Sequence, residues 1–169
     1  MTLRKAWRAV FGLAAGSFGV LLLAATVLGP APASAGVVEK LKGRWSGWGA
    51  IRLTNGTTEQ VKCVATYFLK NSRRRVDQNL RCASASYKID AKAVYQINGR
   101  AVTGTWEELS HSAKGDVFGT VSGTGFQLTV RGDTFSAKMV LSSTACKQSI
   151  NISPRGLNIS NISIGLKKC

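Results

Sequence analysis

Acidic side chains are scarce in this chain. Asp and Glu number 8 among 169 residues, against 23 Lys and Arg, a formal charge of +15. Histidine occurs once, as His111. One imidazole cannot build a His-based metal centre, and Cys63, Cys82, Cys146 and Cys169 lack C-x-x-C spacing, so no metal site is expected. A glycine-rich phosphate loop and a G-x-S-x-G elbow are both missing, so the sequence indicates no cofactor and no hydrolase. Ser110-His111-Ser112, beside Glu107 and Glu108, has triad residue types, but they are sequence neighbours in one hairpin loop, where triad geometry is hard to form. The expectation is therefore a protein that is not an enzyme. Sustained helical periodicity is also absent, which argues against a helix bundle. The apolar content of 44% excludes a wholly disordered basic tail.

What is present starts with an export pattern. Arg4, Lys5 and Arg8 precede an uncharged stretch from Ala9 to Leu28, and small residues follow up to Ala33-Ser34-Ala35. A basic start, an apolar middle and a small-residue box read as a secretory signal, 1–35, cleaved rather than kept as a membrane anchor. The remaining 36–169 form one domain whose 134 residues carry 20 basic and 8 acidic side chains, a formal +12. The expected location is periplasmic or secreted, with any membrane contact after cleavage confined to the surface. In that oxidising setting an even cysteine count suggests two disulfides, and chain order favours Cys63–Cys82 and Cys146–Cys169.

The mature chain alternates short β-branched and aromatic runs with Gly, Asn and Asp, the pattern of an all-β sandwich or barrel of about eight to ten antiparallel strands. Pairing Cys63 with Cys82 in a hairpin also sets Leu69 opposite Val76, Tyr67 opposite Gln78 and Ala65 opposite Leu80, so the mostly apolar faces coincide. A two-residue turn at Asn98-Gly99 would set Tyr95 opposite Val102, Ala93 opposite Gly104 and Ala91 opposite Trp106. A three-residue loop from Thr54 to Gly56 with a glycine bulge keeps Trp45 near Cys63 and Ala65. Phe126 to Arg131 and Thr134 to Leu141 read as strands around a Gly132-Asp133 turn, and a phase shift near Asn161 reads as a bulge.

Two constellations could carry function. Trp45, Tyr67, Tyr95, Trp106, Phe126 and Phe135 fall on inward faces and could line a cavity for a small apolar or amphipathic envelope molecule, with Glu108 orienting a polar end. The alternative uses the outside. Lys70, Arg73, Arg74 and Arg75 crowd the tip of the Cys63–Cys82 hairpin and could dock an anionic envelope polymer, such as lipopolysaccharide or acidic polysaccharide. An acidic protein partner, including an enzyme to be inhibited, fits the same tip. Nucleic acid is disfavoured, because the cluster offers no aromatic for base stacking.

Gly43-x-Trp45 resembles the first-strand G-x-W motif of lipocalins, which implies a calycin-like barrel. A longer set of segments, including Gly43-x-Trp45-x-Gly47-x-Gly49, Glu59 to Cys63, Arg81 to Tyr87, Gly104-Thr105-Trp106-Glu107-Glu108, Arg131 to Ala137, Pro154-Arg155-Gly156 and Ile162 to Leu166 with Cys169, resembles a group of small exported proteins of rhizobia and related alphaproteobacteria. That resemblance implies a bacterial envelope location and transfers no functional residues.

Overall fold

Strict alternation builds the strands. In Thr58–Lys70, Val61, Cys63, Ala65 and Tyr67 are buried, whereas Lys62, Phe68 and Lys70 are exposed. Period-two burial of this kind marks a sheet with one face on a core and the other in water. The computed structural model describes residues 33–169, with side chains from residue 36 onward, and the expected export signal, 1–35, lies up to residue 32 outside the described residues. It contains a helix, α1 (Ala33–Leu41), and ten strands: β1 (Gly43–Leu53), β2 (Thr58–Lys70), β3 (Arg75–Ala83), β4 (Lys88–Asn98), β5 (Ala101–Glu108), β6 (Ala113–Ser122), β7 (Gly125–Gly132), β8 (Ser136–Ser143), β9 (Lys147–Arg155) and β10 (Ile159–Lys167). Each strand pairs antiparallel with the next, and β1 closes on β10, giving a closed up-and-down barrel. Both disulfides form with the expected pairing, Cys63–Cys82 and Cys146–Cys169.

The β2–β3 register is the expected one, with Cys63 opposite Cys82, Tyr67 opposite Gln78 and Leu69 opposite Val76. The β1–β2 loop also holds. Gly56 takes a left-handed φ of 87°, Leu53 N–H donates to Thr57 O at 2.8 Å, and Trp45 lies opposite Ala65. The β10 bulge falls at Ser160, skipped between the Arg52–Asn161 and Leu53–Ile159 pairs.

Two expectations are corrected and one element is added. The β4–β5 turn is Gly99-Arg100 instead of Asn98-Gly99, so Asn98 pairs with Ala101, Tyr95 with Gly104 and Ala93 with Trp106. Only Gly99 has positive φ there, 59°, which matches a turn that needs glycine at its first central position and leaves Asn98 extended. Since the slip is two residues, the inward face is unchanged. Strand β8 begins at Ser136 instead of Thr134, because Gly132 N–H bonds Phe135 O at 2.9 Å and closes a wider loop. Finally, α1 has no counterpart in the sequence reading. Its apolar positions Val37, Val38 and Leu41 make one short turn of amphipathic pattern, too brief to stand out as periodicity.

The helix sets the polarity of the barrel. Val37, Val38 and Leu41 are at most 2% exposed and belong to the core, so α1 stoppers the end where β1 begins. Trp45 Nε1 donates to Leu41 O at 2.7 Å, satisfying a helix-terminal carbonyl from inside. From outside, Lys168 Nζ donates to Lys40 O and Lys42 O at 3.1 and 3.2 Å and lies 4.7 Å from the Trp45 ring centre. Disulfide Cys146–Cys169 anchors this C-terminal tail to the β8–β9 loop at the same end. Inward glycines let the wall close: a Cβ on Gly47 would lie 2.1 Å from Gly165 O on β10.

Candidate functional site

Inward side chains divide the barrel into two halves. In the half next to α1, Trp45, Tyr67, Tyr95 and Phe126 are 5% exposed or less. A polar chain crosses this packed region. Tyr95 donates to Gln78 Oε1, Gln78 Nε2 reaches Tyr67 Oη at 3.5 Å, and Tyr67 donates to Gln148 Oε1 at 2.9 Å. Burial pushes both phenols well above their usual range, so each stays a neutral donor. Gln148 Nε2 is the one buried side-chain nitrogen or oxygen without a partner among the described residues. The sequence held a signal for this network, since Gln78 and Gln148 occupy inward positions where the strand pattern otherwise places apolar residues.

The half away from α1 is different. Ile89, Ala91, Trp106, Val130, Ile152 and Ile162 also point inward and pack on the core, yet each is only partly buried. Water therefore reaches the apolar inner wall from this end. Two exposed leucines, Leu109 at 47% and Leu157 at 39%, sit on the loops around it. Trp106 is held here by three contacts: its ring packs edge-on against Phe135 at 5.4 Å, its Nε1 donates to Arg131 O at 3.2 Å, and Gly115 and Gly132 leave the room it occupies. Of the six aromatics expected to line a cavity, the structure thus places Trp106 and Phe135 at the open end and the other four in the packed floor.

Glu108 belongs to the rim. Its Oε1 accepts from Asp90 N–H at 2.8 Å and Ser110 N–H at 3.1 Å, while Oε2 accepts from His111 N–H at 2.6 Å and lies 2.8 Å from His111 Nδ1. Partial burial opposes its ionisation, but the hydrogen bonds from Asp90, His111 and Ser110 outweigh burial and hold the carboxyl below its usual range. Its acceptor capacity is spent on folding the β5–β6 loop. Glu108 and His111 thus cap the β5–β6 loop together. Glu59 serves the neighbouring β3–β4 loop in the same way, accepting from Ser84 Oγ and from Ser86 N–H at 3.2 Å.

The basic hairpin tip lies at the opposite, α1 end. Lys70 Nζ and Arg75 Nε clamp Asp77 at 2.6 and 2.7 Å, and those two hydrogen bonds hold the Asp77 carboxyl below its usual range. Arg73 reaches Glu39 of α1 at 3.5 Å. Arg74 alone of the four has no acidic partner among the described residues. Asn71, Ser72 and Arg73 all take left-handed φ, at 50°, 53° and 71°, so the tip is tightly wound as well as internally paired. No group of three or more His, Cys, Asp or Glu side chains gathers in a metal-holding cluster among the described residues.

No protein-family model matches the chain, and neither does any curated protein. Solved structures do resemble it. Rv2717c from M. tuberculosis superposes with a TM-score of 0.65 over 82% of this chain and 98% of its own, at 12% identity. The S-type phycobiliprotein lyase CPES from Guillardia theta superposes with a TM-score of 0.55 over 77% of this chain and 88% of its own, at 11% identity. At such identities the likeness is one of fold alone: this chain is a closed, lipocalin-like antiparallel barrel, and its two disulfides suit an oxidising compartment outside the cytoplasm.

Proposed function

We propose that this protein is a non-enzymatic binding protein of the periplasm or cell exterior that holds a small apolar or amphipathic envelope molecule in the open half of its barrel. One observation carries the reading. The same apolar inner wall is sealed at one end by α1 and Trp45 and is partly exposed at the other, around Ile89, Trp106, Val130 and Ile152. Leaving inward apolar surface in water costs roughly 25 cal/mol per Å², which a bound acyl or ring system would recover. The packed aromatics form the floor of the site, and Trp106 with Phe135 forms its wall. The rim leucines Leu109 and Leu157 suit a mouth that meets other apolar surfaces while loading.

Native mass spectrometry of the protein purified from its own cell envelope tests this reading. The expected result is an added mass of roughly a few hundred daltons that denaturation releases. Replacing Ala91 with Trp, which fills the mouth, should abolish the added mass while the circular dichroism spectrum keeps its β signature. A bare mass from the wild-type envelope preparation, or an Ala91→Trp protein that still carries the adduct, would overturn it.

A further inference from the structure

The outer wall carries a separate feature. Following the sheet round through β7, β8, β9, β10 and β1 gives five neighbouring strands without one Asp or Glu. They hold Arg131, Lys138, Lys147, Arg155, Lys167, Arg44 and Arg52, all exposed, and none has a carboxylate within 4.0 Å among the described residues. Every one of the strands β2 to β6, by contrast, has at least one acid. Closing the barrel has thus sorted a basic chain into a mixed half and a half whose strands carry only cationic charge, with Asp133 in the β7–β8 loop at the end away from α1.

A cleft of about 930 Å³ crosses the cationic half near the α1 end. Its most exposed apolar group is Trp48, 62% exposed on the outer face of β1. The strand partner of Trp48 on β10 is Gly165, and a Cβ built there finds no atom nearer than Trp48 O at 4.0 Å, so the strip beside the indole is open. Lys62 is its partner on the other side. Lys147 and Lys167 stand in the cleft with Lys40, and Ser46, Ser142, Ser149, Thr124 and Thr144 supply hydroxyls. No acidic residue lines it.

We infer that this cleft binds an acidic polysaccharide, with a sugar ring on Trp48 and its carboxylates on Lys147 and Lys167. An indole face in water takes the C–H face of a pyranose, hydroxyls exchange hydrogen bonds with hydroxyls, and unpaired ammonium groups take charge of the opposite sign. A lipid surface fits less well, because Trp48 and Val140 are the only exposed large apolar side chains on these described strands. Nucleic acid fits less well too: stacking successive bases needs several aromatics, and the cleft has one. The internally paired hairpin tip around Arg73 plays no part. The inference is independent of the barrel interior, which opens at the other end.

The test titrates the protein as purified from the envelope after expression of its whole sequence, with oligogalacturonates and alginate oligomers at low and moderate salt. Binding is expected to weaken as salt rises. Trp48→Ala should weaken it about tenfold or more, on the scale of an aromatic binding hot spot. Gly165→Leu should do the same by filling the strip while leaving charge and indole intact; the position accepts a Cβ without strain, so the variant should fold. Lys147→Gln with Lys167→Gln should flatten the salt dependence, and Arg74→Gln should leave affinity unchanged. The inference is overturned if Trp48→Ala and Gly165→Leu bind like wild type, if neutral oligosaccharides bind equally well, or if neither acidic oligomer binds. Tighter, Trp48-dependent binding of phosphatidylglycerol vesicles or duplex DNA would overturn the choice of occupant.

Discussion

Single side chains at the open end do work that their residue types do not announce. Glu108 is a carboxylate in a barrel mouth, yet its oxygens are committed to Asp90, Ser110 and His111. Because its folded carboxyl titrates below the unfolded value of 4.5, the stability it contributes is present above that pH and is lost as pH falls through the lower folded value. Urea unfolding from pH 6 down to pH 3 should therefore show a steeper loss for wild type than for Glu108→Gln. Equal slopes would remove Glu108 from the acid response. Gly115 shows a second such constraint. A Cβ there would stand 1.8 Å from Arg131 O and 3.0 Å from Trp106 Nε1. Gly115→Ala should cost about 2 kcal/mol or more and perturb the Trp106 fluorescence, since a strand backbone cannot yield as a flexible side chain can. A loss below about 0.5 kcal/mol would mean that β6 relaxes freely.

Between elements, the two disulfides differ in what they hold. Cys63 and Cys82 face inward at 0% and 2% exposure on adjacent strands, with a sequence separation of 19, while Cys169 is exposed and its bridge to Cys146 spans 23. By loop closure alone each contributes about 3 kcal/mol. Replacing Cys63 and Cys82 by Ser should cost more than replacing Cys146 and Cys169 by Ser, because only the first exchange also buries two hydroxyls. Paired denaturation curves decide this, and equal losses would contradict it. The α1 stopper is the other element that matters. Leu41→Ala removes core packing under the Trp45 hydrogen bond and should cost about 2–5 kcal/mol, with Trp emission moving to the red as water reaches the floor. Unchanged emission would show that α1 is not the seal.

For the whole molecule, closure of β1 on β10 leaves no free sheet edge among the ten described strands. Hydrogen exchange should then report one cooperative unit, with the amides of Gly49 and Ile164 at the seam as protected as those of Thr103 and Val117 opposite. Much faster exchange at the seam would mean that the barrel opens there below global unfolding. Closure also decides where charge goes. In the linear chain the acids run from Glu39 to Asp133, and only closure sets the acid-free β1 beside the acid-free strands β7 to β10.

Local physics was legible in the residues themselves. Alternation showed the strands, the cysteine spacing agreed with one hairpin register, and Gly56 marked a left-handed turn, because each depends on contacts between near neighbours in the chain. The Asn98-Gly99 reading slipped by two residues for the same reason: a turn motif sees only its own four residues, while the register answers to the whole sheet. Tertiary structure alone decided the rest. That α1 would seal one end, that Trp45 and Tyr67 would be floor and Trp106 wall, and that Trp48 would stand in an acid-free cleft all depend on residues far apart in sequence. Such contacts exist only after the sheet has curved round and closed, and no periodicity along the chain encodes them.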